Sequence, residues 1–402
     1  MPRRYPAPVR DPRVGRWAAS GAMALTGLPD LPLGPPEALV EGIEQLARPF
    51  PGLDGPALLG ERAALMGLWR RGATSCGGSC RLLAAADGFL AVNLPRAEDM
   101  ESVPAWLELD DVPASAPATW AALAGEVARR SADELVARGT LLGLPVVRVG
   151  EAASRPALSR VPLGAAPARP LEGAVVVDLS ALWAGPLCGD LLARRGARVV
   201  KVESTARPDG ARRGPAAFFD LLNGAKRSVA LDFGDVAGRR ALCHLVQRAD
   251  VVIEASRPRA LEQLGIRAAD CVGRGGPQVW VSITGYGRSG EGAGRVAFGD
   301  DAAAAAGLVV RHDGAPLFCA DAVADPLTGL TAAGACIEAL GRGGRWLLDV
   351  SMAGVAAQLA GPTLAVEPGI EPATPRARRP AGPAPASGAD TAQVLAELGY
   401  AG

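Results

Sequence analysis

From Leu171 onward, short β-branched runs alternate with helical stretches, and this alternation restricts the fold more than any other feature of the chain. Ala174-Val-Val-Val-Asp-Leu179 reads as a buried strand, Gly185 to Arg195 as a helix, and Ala197-Arg-Val-Val-Lys-Val-Glu203 as a second strand. Further strands are predicted at Arg227 to Asp232, Ala249 to Glu254, Gln278 to Thr284 and Trp346 to Val350, with helices at 236–248, 259–264 and 328–340. Strands this short and apolar, separated by helices, are buried on both faces. That pattern predicts an α/β fold with a Rossmann-like, doubly wound parallel sheet. Ligands of such sheets bind beyond the carboxyl ends of the strands, which here are Asp178 to Trp183, Glu203 and Glu254 to Arg257.

The preceding half reads differently. Arg81 to Leu94 has the pattern of a hairpin turning at Asp87-Gly88, Trp120 to Gly139 carries Leu123, Val127 and Leu135 at helical spacing, and Leu142 to Val149 reads as a short strand. These suggest a second, smaller α+β domain over 17–150. A basic, Pro-rich arm (1–16) precedes it, and a Pro- and Ala-rich linker (151–171) follows. The sheet domain then spans 172–355, an extended Pro/Ala-rich segment 356–388, and a terminal helix 389–402 with Asp390 as its expected cap.

Composition removes several function classes. Lys+Arg 42 against Asp+Glu 42 leaves a formal net charge of zero, so no global field holds the chain on nucleic acid or an anionic membrane. Val350 to Val366 is the most membrane-like stretch, but Ser351, Gln358, Gly361 and Pro362 interrupt it. Two histidines leave little room for His-based triads, and no metal-ligand spacing is visible. Seven scattered cysteines fit reduced thiols in a cytoplasm. Only Lys201 and Lys226 are lysines in an otherwise Arg-based chain. A compact ammonium with three donors is geometrically distinct from a guanidinium, so both positions invite inspection.

Gly285-Tyr-Gly-Arg-Ser-Gly-Glu-Gly-Ala-Gly294 lacks dinucleotide-loop spacing, and no G-x-S-x-G nucleophile elbow occurs. Asp325, before Pro326 and Gly329, has the pattern of a helix N-cap. The same position suits a reactive carboxylate beside helix-terminal amides that could hold an oxyanion, and the local pattern leaves both readings open.

An ordered set of motifs goes further. Val177-Asp-Leu-Ser-Ala-Leu-Trp-Ala-Gly-Pro186, Leu191 to Glu203, Asn223-Gly-Ala-Lys-Arg-Ser228, Ala249 to Glu254, Ser282-Ile-Thr-Gly-Tyr-Gly287 and Asp325-Pro-Leu-Thr-Gly329 resemble the class III CoA-transferase family. That family includes formyl-CoA transferase, carnitine CoA-transferase and α-methylacyl-CoA racemase. The order of parts is altered: residues 60–150 resemble the family's later small domain, and Trp17 to Gly27 resembles the stretch before its nucleophile.

The resemblance implies a CoA-transferase with Asp325 as nucleophile and coenzyme A or acyl-CoA as substrate, without metal, nicotinamide or flavin. It places CoA contacts at Trp183, Ala184, Asn223, Lys226, Ser256 and Arg257. It also implies a carboxylate acceptor and a homodimer, with no nucleic acid or membrane partner. Ser204 and Gln263 stand where formyl-CoA transferase has arginines, and Arg207, Arg257 and Arg259 could compensate. The family's glycine-rich lid is reduced to Cys76-Gly-Gly-Ser79, and Asp300-Asp301 replaces the racemase branch's His–Asp pair. Two alternatives accompany this reading: a non-catalytic CoA-binding paralogue acting as a scaffold, and an acyl-CoA racemase with Asp325 as base.

Overall fold

The computed structural model describes residues 11–110, 116–290 and 292–400. Most of the arm expected over 1–16 therefore lies outside the described residues, and Pro12–Ser20 is already a helix, capped by the Asp11 side chain. A two-residue hairpin, β1 (Gly27–Leu28) and β2 (Leu31–Pro32), follows. Strands β3 (Cys80–Ala85), β4 (Gly88–Asn93) and β5 (Val146–Arg148) make a small antiparallel sheet.

The large sheet holds seven strands: β6 (Leu158–Gly164), β7 (Val175–Asp178), β8 (Arg198–Ser204), β9 (Arg227–Leu231), β10 (Val251–Glu254), β11 (Val279–Thr284) and β14 (Arg345–Ser351). The hairpin β12 (Val310–His312) and β13 (Ala315–Leu317) stands apart from it. The order is β9-β8-β7-β10-β11-β14-β6, and every pairing is parallel except β14 with β6. The expected Rossmann-like sheet is therefore present. Successive strands run outward from β7 in opposite directions, so the topological switch point lies between β7 and β10.

The linker expected over 151–171 contains β6, the antiparallel edge of this sheet. Most of its side chains are exposed, including Val161, so it lacks the apolar alternation that marks a half-buried strand. The unit expected over 17–150 also divides. Trp17, Met23, Leu39, Ile43, Leu58 and Leu59 share one core with Val176, Leu187, Val251 and Leu327 of the sheet domain. A separate core of Leu90, Val92, Trp106, Leu123, Leu135 and Val146 belongs to the small domain. The opposite face of the large sheet buries Val177, Val200, Val229, Leu242, Val252 and Trp280, closed by Val394 of the terminal helix.

That helix, Thr391–Glu397, forms as expected, but Asp390 does not cap it; its carboxylate accepts instead from the Ser228 N–H of β9 at 2.8 Å. The helical spacing from Trp120 to Gly139 belongs to two helices, Ala116–Val127 and Ala132–Leu141. Residues 358–390 have no helix or strand and run over the body as a strap. Arg376 reaches the Ala19 carbonyl and Asp54, while Arg378 pairs with both Glu61 and Asp190. The strap thus clamps the N-terminal segment to the helix Ala184–Arg194.

Candidate active site

At the switch point the chain leaves β7 through Asp178, Leu179 and Ser180 and enters the helix Ala184–Arg194. A cleft of about 250 Å³ opens here. Ala181, Leu182 and Ala184 follow β7; Ala255, Ser256 and Arg257 follow β10; Thr284 and Gly285 end β11; and Met352 follows β14. Arg96 of the small domain, Arg295 and Phe298 of the loop after β11, and Asp325 complete the lining.

Asp325 is the second residue of the long helix Ala324–Arg342 rather than its cap; Val323 holds the cap position without a side-chain bond. The carboxylate therefore sits inside the first turn, where the N-terminal amides and dipole favour negative charge. The Ala184 N–H, itself at the start of a helix, donates toward it. Gly299 makes the approach possible, because a Cβ there would lie 2.4 Å from Asp325 Oδ2 and 2.4 Å from the Ala322 carbonyl.

The backbone around this carboxylate is strained. Among the described residues, five non-glycine residues have positive φ, and Leu182 (68°), Ala320 (57°) and Ala322 (43°) are three of them. Each such alanine costs about 1–2 kcal/mol, so surrounding contacts must hold the turn. The N-terminal segment supplies them: Thr26 Oγ1 accepts from the Ala320 N–H at 3.0 Å, and Cys76 Sγ lies 3.5 Å from the Ala320 carbonyl.

Three further carboxylates surround the turn. Asp300 Oδ1 accepts from the Ala322 N–H at 3.0 Å. Asp301 accepts from Asn93 Nδ2 at 2.7 Å and from the Phe298 N–H. Asp321, between the two strained alanines, is fully buried and held by Arg62, whose Nε lies 2.8 Å from Oδ2 and whose Nη2 bonds Oδ1. Burial pushes Asp325 up to about 7 against the pull of Arg62, with Asp300 adding to the rise. Burial, then Asp321, raises Asp300 to about 6. Burial raises Asp301 to about 8 despite the Asn93 and Phe298 bonds. A carboxylate that is costly to ionise yet poised near neutrality is a strong nucleophile or base.

The structure brings Ala184, Ser256, Arg257 and Asp325 to one cleft. It does not bring Trp183, Asn223 or Lys226 there. Trp183 is buried edge-on against Phe218 at 5.3 Å. Lys226 points inward, and all three of its donors are taken, by Asp178 Oδ2 at 2.8 Å, the Pro186 carbonyl at 2.8 Å and Asn223 Oδ1 at 3.0 Å. Asn223 completes its own bonding with the Phe219 carbonyl at 3.1 Å. Burial alone would raise Asp178, but Lys226 and then Lys201 overcome it and hold the carboxyl below the usual range. Lys201 also pairs with Asp209 at 2.8 Å and donates to the Ser180 carbonyl. Both lysines therefore staple the loop behind the cleft from inside the protein.

Sequence reasoning missed Arg62 and Arg96 as neighbours of the site, and it paired Asp321 with Asp325 without its partner Arg62. Arg62 and Asp321 meet across 259 residues, and no local pattern signals that contact. Asp301 was visible as part of an acidic pair, but its bond to Asn93 of the small domain was not. No group of His, Cys, Asp and Glu able to hold a metal exists among the described residues, and no helix there is long and apolar enough to cross a membrane.

A model of CoA-transferase family III matches residues 171–390, more than half of the chain. The protein belongs to that family. An acyl-CoA transferase of Fusarium pseudograminearum is 33% identical over 189 residues, covering 42% of this chain and 41% of its own length. A succinyl-CoA:glutarate CoA-transferase of Mus musculus is 33% identical over 182 residues, covering 43% and 42%. A CAIB/BAIF family protein from Brucella suis of known structure shares 31% identity with a TM-score of 0.43, covering 48% of this chain and 55% of that one. The chain spans less than half the length of these curated relatives. The segment matched to the family contains Asp325, Ala184, Ser256 and Arg257, whereas Arg62, Cys76, Asn93 and Arg96 lie outside it.

Proposed function

We propose that this chain transfers coenzyme A from an acyl-CoA to a carboxylate, with Asp325 as the nucleophile. The observation that carries the reading is one half-buried carboxylate, in a helix first turn and lining the switch-point cleft, with the Ala184 N–H directed at it. An Asp325 oxygen attacks the thioester carbonyl, the C–S bond breaks, and CoA leaves as the thiolate, giving a mixed anhydride. The thiolate then attacks the aspartyl carbonyl and expels the donor carboxylate, leaving an aspartyl-CoA thioester. An acceptor carboxylate attacks that thioester, the thiolate leaves again, and its return to the acceptor acyl carbon yields the new acyl-CoA and free Asp325. The anhydride stage keeps the acyl group activated, so one difficult exchange becomes several easier ones. Helix-terminal amides at Ala184 and around Asp325 suit the tetrahedral oxyanions.

Ala184, Ser256 and Arg257 are the residues we propose to contact CoA; exposed Arg207 follows β8 and exposed Arg259 follows β10, neither of them lining the cleft. The small domain, through Arg96, is the proposed cover that limits water's access to the anhydride. A homodimer is proposed on the family resemblance. The deciding experiment is incubation with a panel of acyl-CoAs and carboxylate acceptors, followed by intact mass measurement. A CoA- or acyl-sized adduct that maps to Asp325 and is lost in Asp325→Asn supports the reading. CoA binding without adduct or turnover across the panel would instead indicate a scaffold, and solvent-deuterium incorporation at the α-carbon without CoA exchange a racemase.

A further inference from the structure

The carboxylates at the turn outnumber the cation beside them. Asp300, Asp321 and Asp325 all face Arg62, and Asp301 stands next to Asp300. Around them stand Cys76, Cys80 and Cys319, thiols that burial keeps protonated, and, on the Asp301 side, the buried Tyr286 hydroxyl and Arg96, whose guanidinium is already paired with Asp99. Arg62 comes from the helix Glu61–Met66 in the N-terminal segment, outside the family-matched part of the chain. Its position is fixed on three sides. One edge of the guanidinium forks onto Asp321. Its carbon lies 5.3 Å from the centre of the Trp183 ring, and the Gly77 backbone passes so close that a Cβ there would sit 3.3 Å from Nη2. Glu61, its neighbour, is clamped by Arg378 of the strap, which anchors the helix that carries it.

We infer that Arg62 is a positioning residue for Asp325: it pins the strained Ala320–Ala322 turn through Asp321 and supplies the charge that lets Asp325 ionise beside Asp300. The fork matters for the first task and the charge for the second. An ammonium would keep the charge and lose the two-point grip. Removing Asp321 has the opposite electrostatic effect, because its negative charge works against ionisation of Asp325.

The inference rests on the transfer reading only in its rate arm. The test is carboxyl-carbon NMR of the full chain labelled at aspartate, titrated with pH, with Asp325→Asn assigning the Asp325 signal. In Arg62→Gln the Asp325 midpoint moves up by about one pH unit or more, the scale of losing a neighbouring opposite charge. In Asp321→Asn it moves down. In Arg62→Lys it stays near the wild-type value while the transfer rate falls, and the acid limb of kcat/KM follows the NMR midpoint in every variant. If Arg62→Gln does not fold, the downward movement in Asp321→Asn and the behaviour of Arg62→Lys still decide. A midpoint that is unmoved, within error, in whichever of Arg62→Gln and Asp321→Asn folds, or one that shifts in Arg62→Lys as far as loss of the charge would shift it, overturns the role of Arg62 even if CoA is transferred. Midpoints that move as described in a protein that never turns over an acyl-CoA uphold Arg62 and refute the transfer reading.

Discussion

Two buried clusters of carboxylates and cations lie behind and beneath the same loop, and they are built on opposite principles. At Asp178 the charges balance and every donor of Lys226 has a partner, so the carboxyl is held below its ordinary range. Around Asp325, among the described residues, the Arg62 guanidinium alone serves Asp300, Asp321 and Asp325, the backbone is strained at Ala320 and Ala322, and Asp300 and Asp325 are raised toward neutrality. A saturated buried pair organises a fold. A cluster left short of positive charge stores reactivity, because its ionised form is stabilised only in part. Before the partners are known, the two are hard to tell apart: each is an acidic residue at a strand end or helix start, near a basic one.

The sharpest way to break this contrast is Asp325→Ala, expected to lower transfer by about 10³-fold or more, the scale of removing a nucleophile, while the Kd for CoA holds and the protein stays folded. Substantial residual turnover removes Asp325 from the chemistry. On the other side, Lys226→Met is expected to cost about 3–5 kcal/mol in denaturant unfolding, the penalty of stranding a buried partner charge. Measured on whatever folds at low denaturant, its CoA affinity stays close to wild type. A weakened Kd with unchanged stability would return Lys226 to the binding site.

Gly299→Ala probes how tightly the reactive cluster is packed. Its new Cβ would sit 2.4 Å from Asp325 Oδ2, so the rate is expected to fall by about 10–100-fold with Asp325 itself intact. Kinetics indistinguishable from wild type would show that the cleft relaxes freely.

The clusters should also answer pH with opposite signs. Asp300, Asp325 and Asp301 ionise near 3.8 when unfolded and at about 6, 7 and 8 when folded. The folded state thus keeps protons that the unfolded state has released, and stability falls as pH rises from about 4 to about 8. Asp178, depressed in the fold, contributes stability above its unfolded value of 3.8 that is lost as pH falls through the lower folded one. Asp325→Asn is therefore expected to raise Tm at pH 8 by a few degrees, about 1–2 kcal/mol, and to leave it unchanged at pH 4. Equal effects at both values would sink the assignment of raised carboxyls to the cleft. The smallest effect belongs to exposed Arg257 at the lip, where Arg257→Ala should weaken CoA binding by about 0.5–1 kcal/mol, read by calorimetry.

The deletion of residues 1–171 is a further discriminator between regions. Because Trp17, Met23, Ile43 and Leu59 lie in the core of the sheet domain, the fragment 172–402 is expected to expose that core and aggregate rather than act as an open enzyme. The same deletion removes β6 and Arg62.

Strands β7, β8, β10 and β11 were legible because largely buried parallel strands write themselves as short apolar runs, a signal carried by adjacent residues. Asp325 and its neighbours in the cleft were legible because an ordered set of motifs spans 177–329, each short and local. Strand β6 was not, since an exposed edge with Arg160 and Pro162 has no apolar periodicity and is a strand only because β14 offers it hydrogen bonds. The two lysines were noticed for a sound reason, the geometry of a three-donor ammonium, yet nothing in the sequence says whether such a group faces a ligand or Asp178.

The sequence by itself determined the doubly wound sheet and the carboxylate at the helix start, because both follow from patterns within a few tens of residues, whereas the switch point came from the strand order of the folded sheet. The tertiary structure alone decided that the N-terminal segment joins the same core, that Lys226 turns inward, and that Arg62 meets Asp321 across 259 residues. Burial and charge pairing between distant segments depend on how whole elements dock, and that docking sets the field around Asp325.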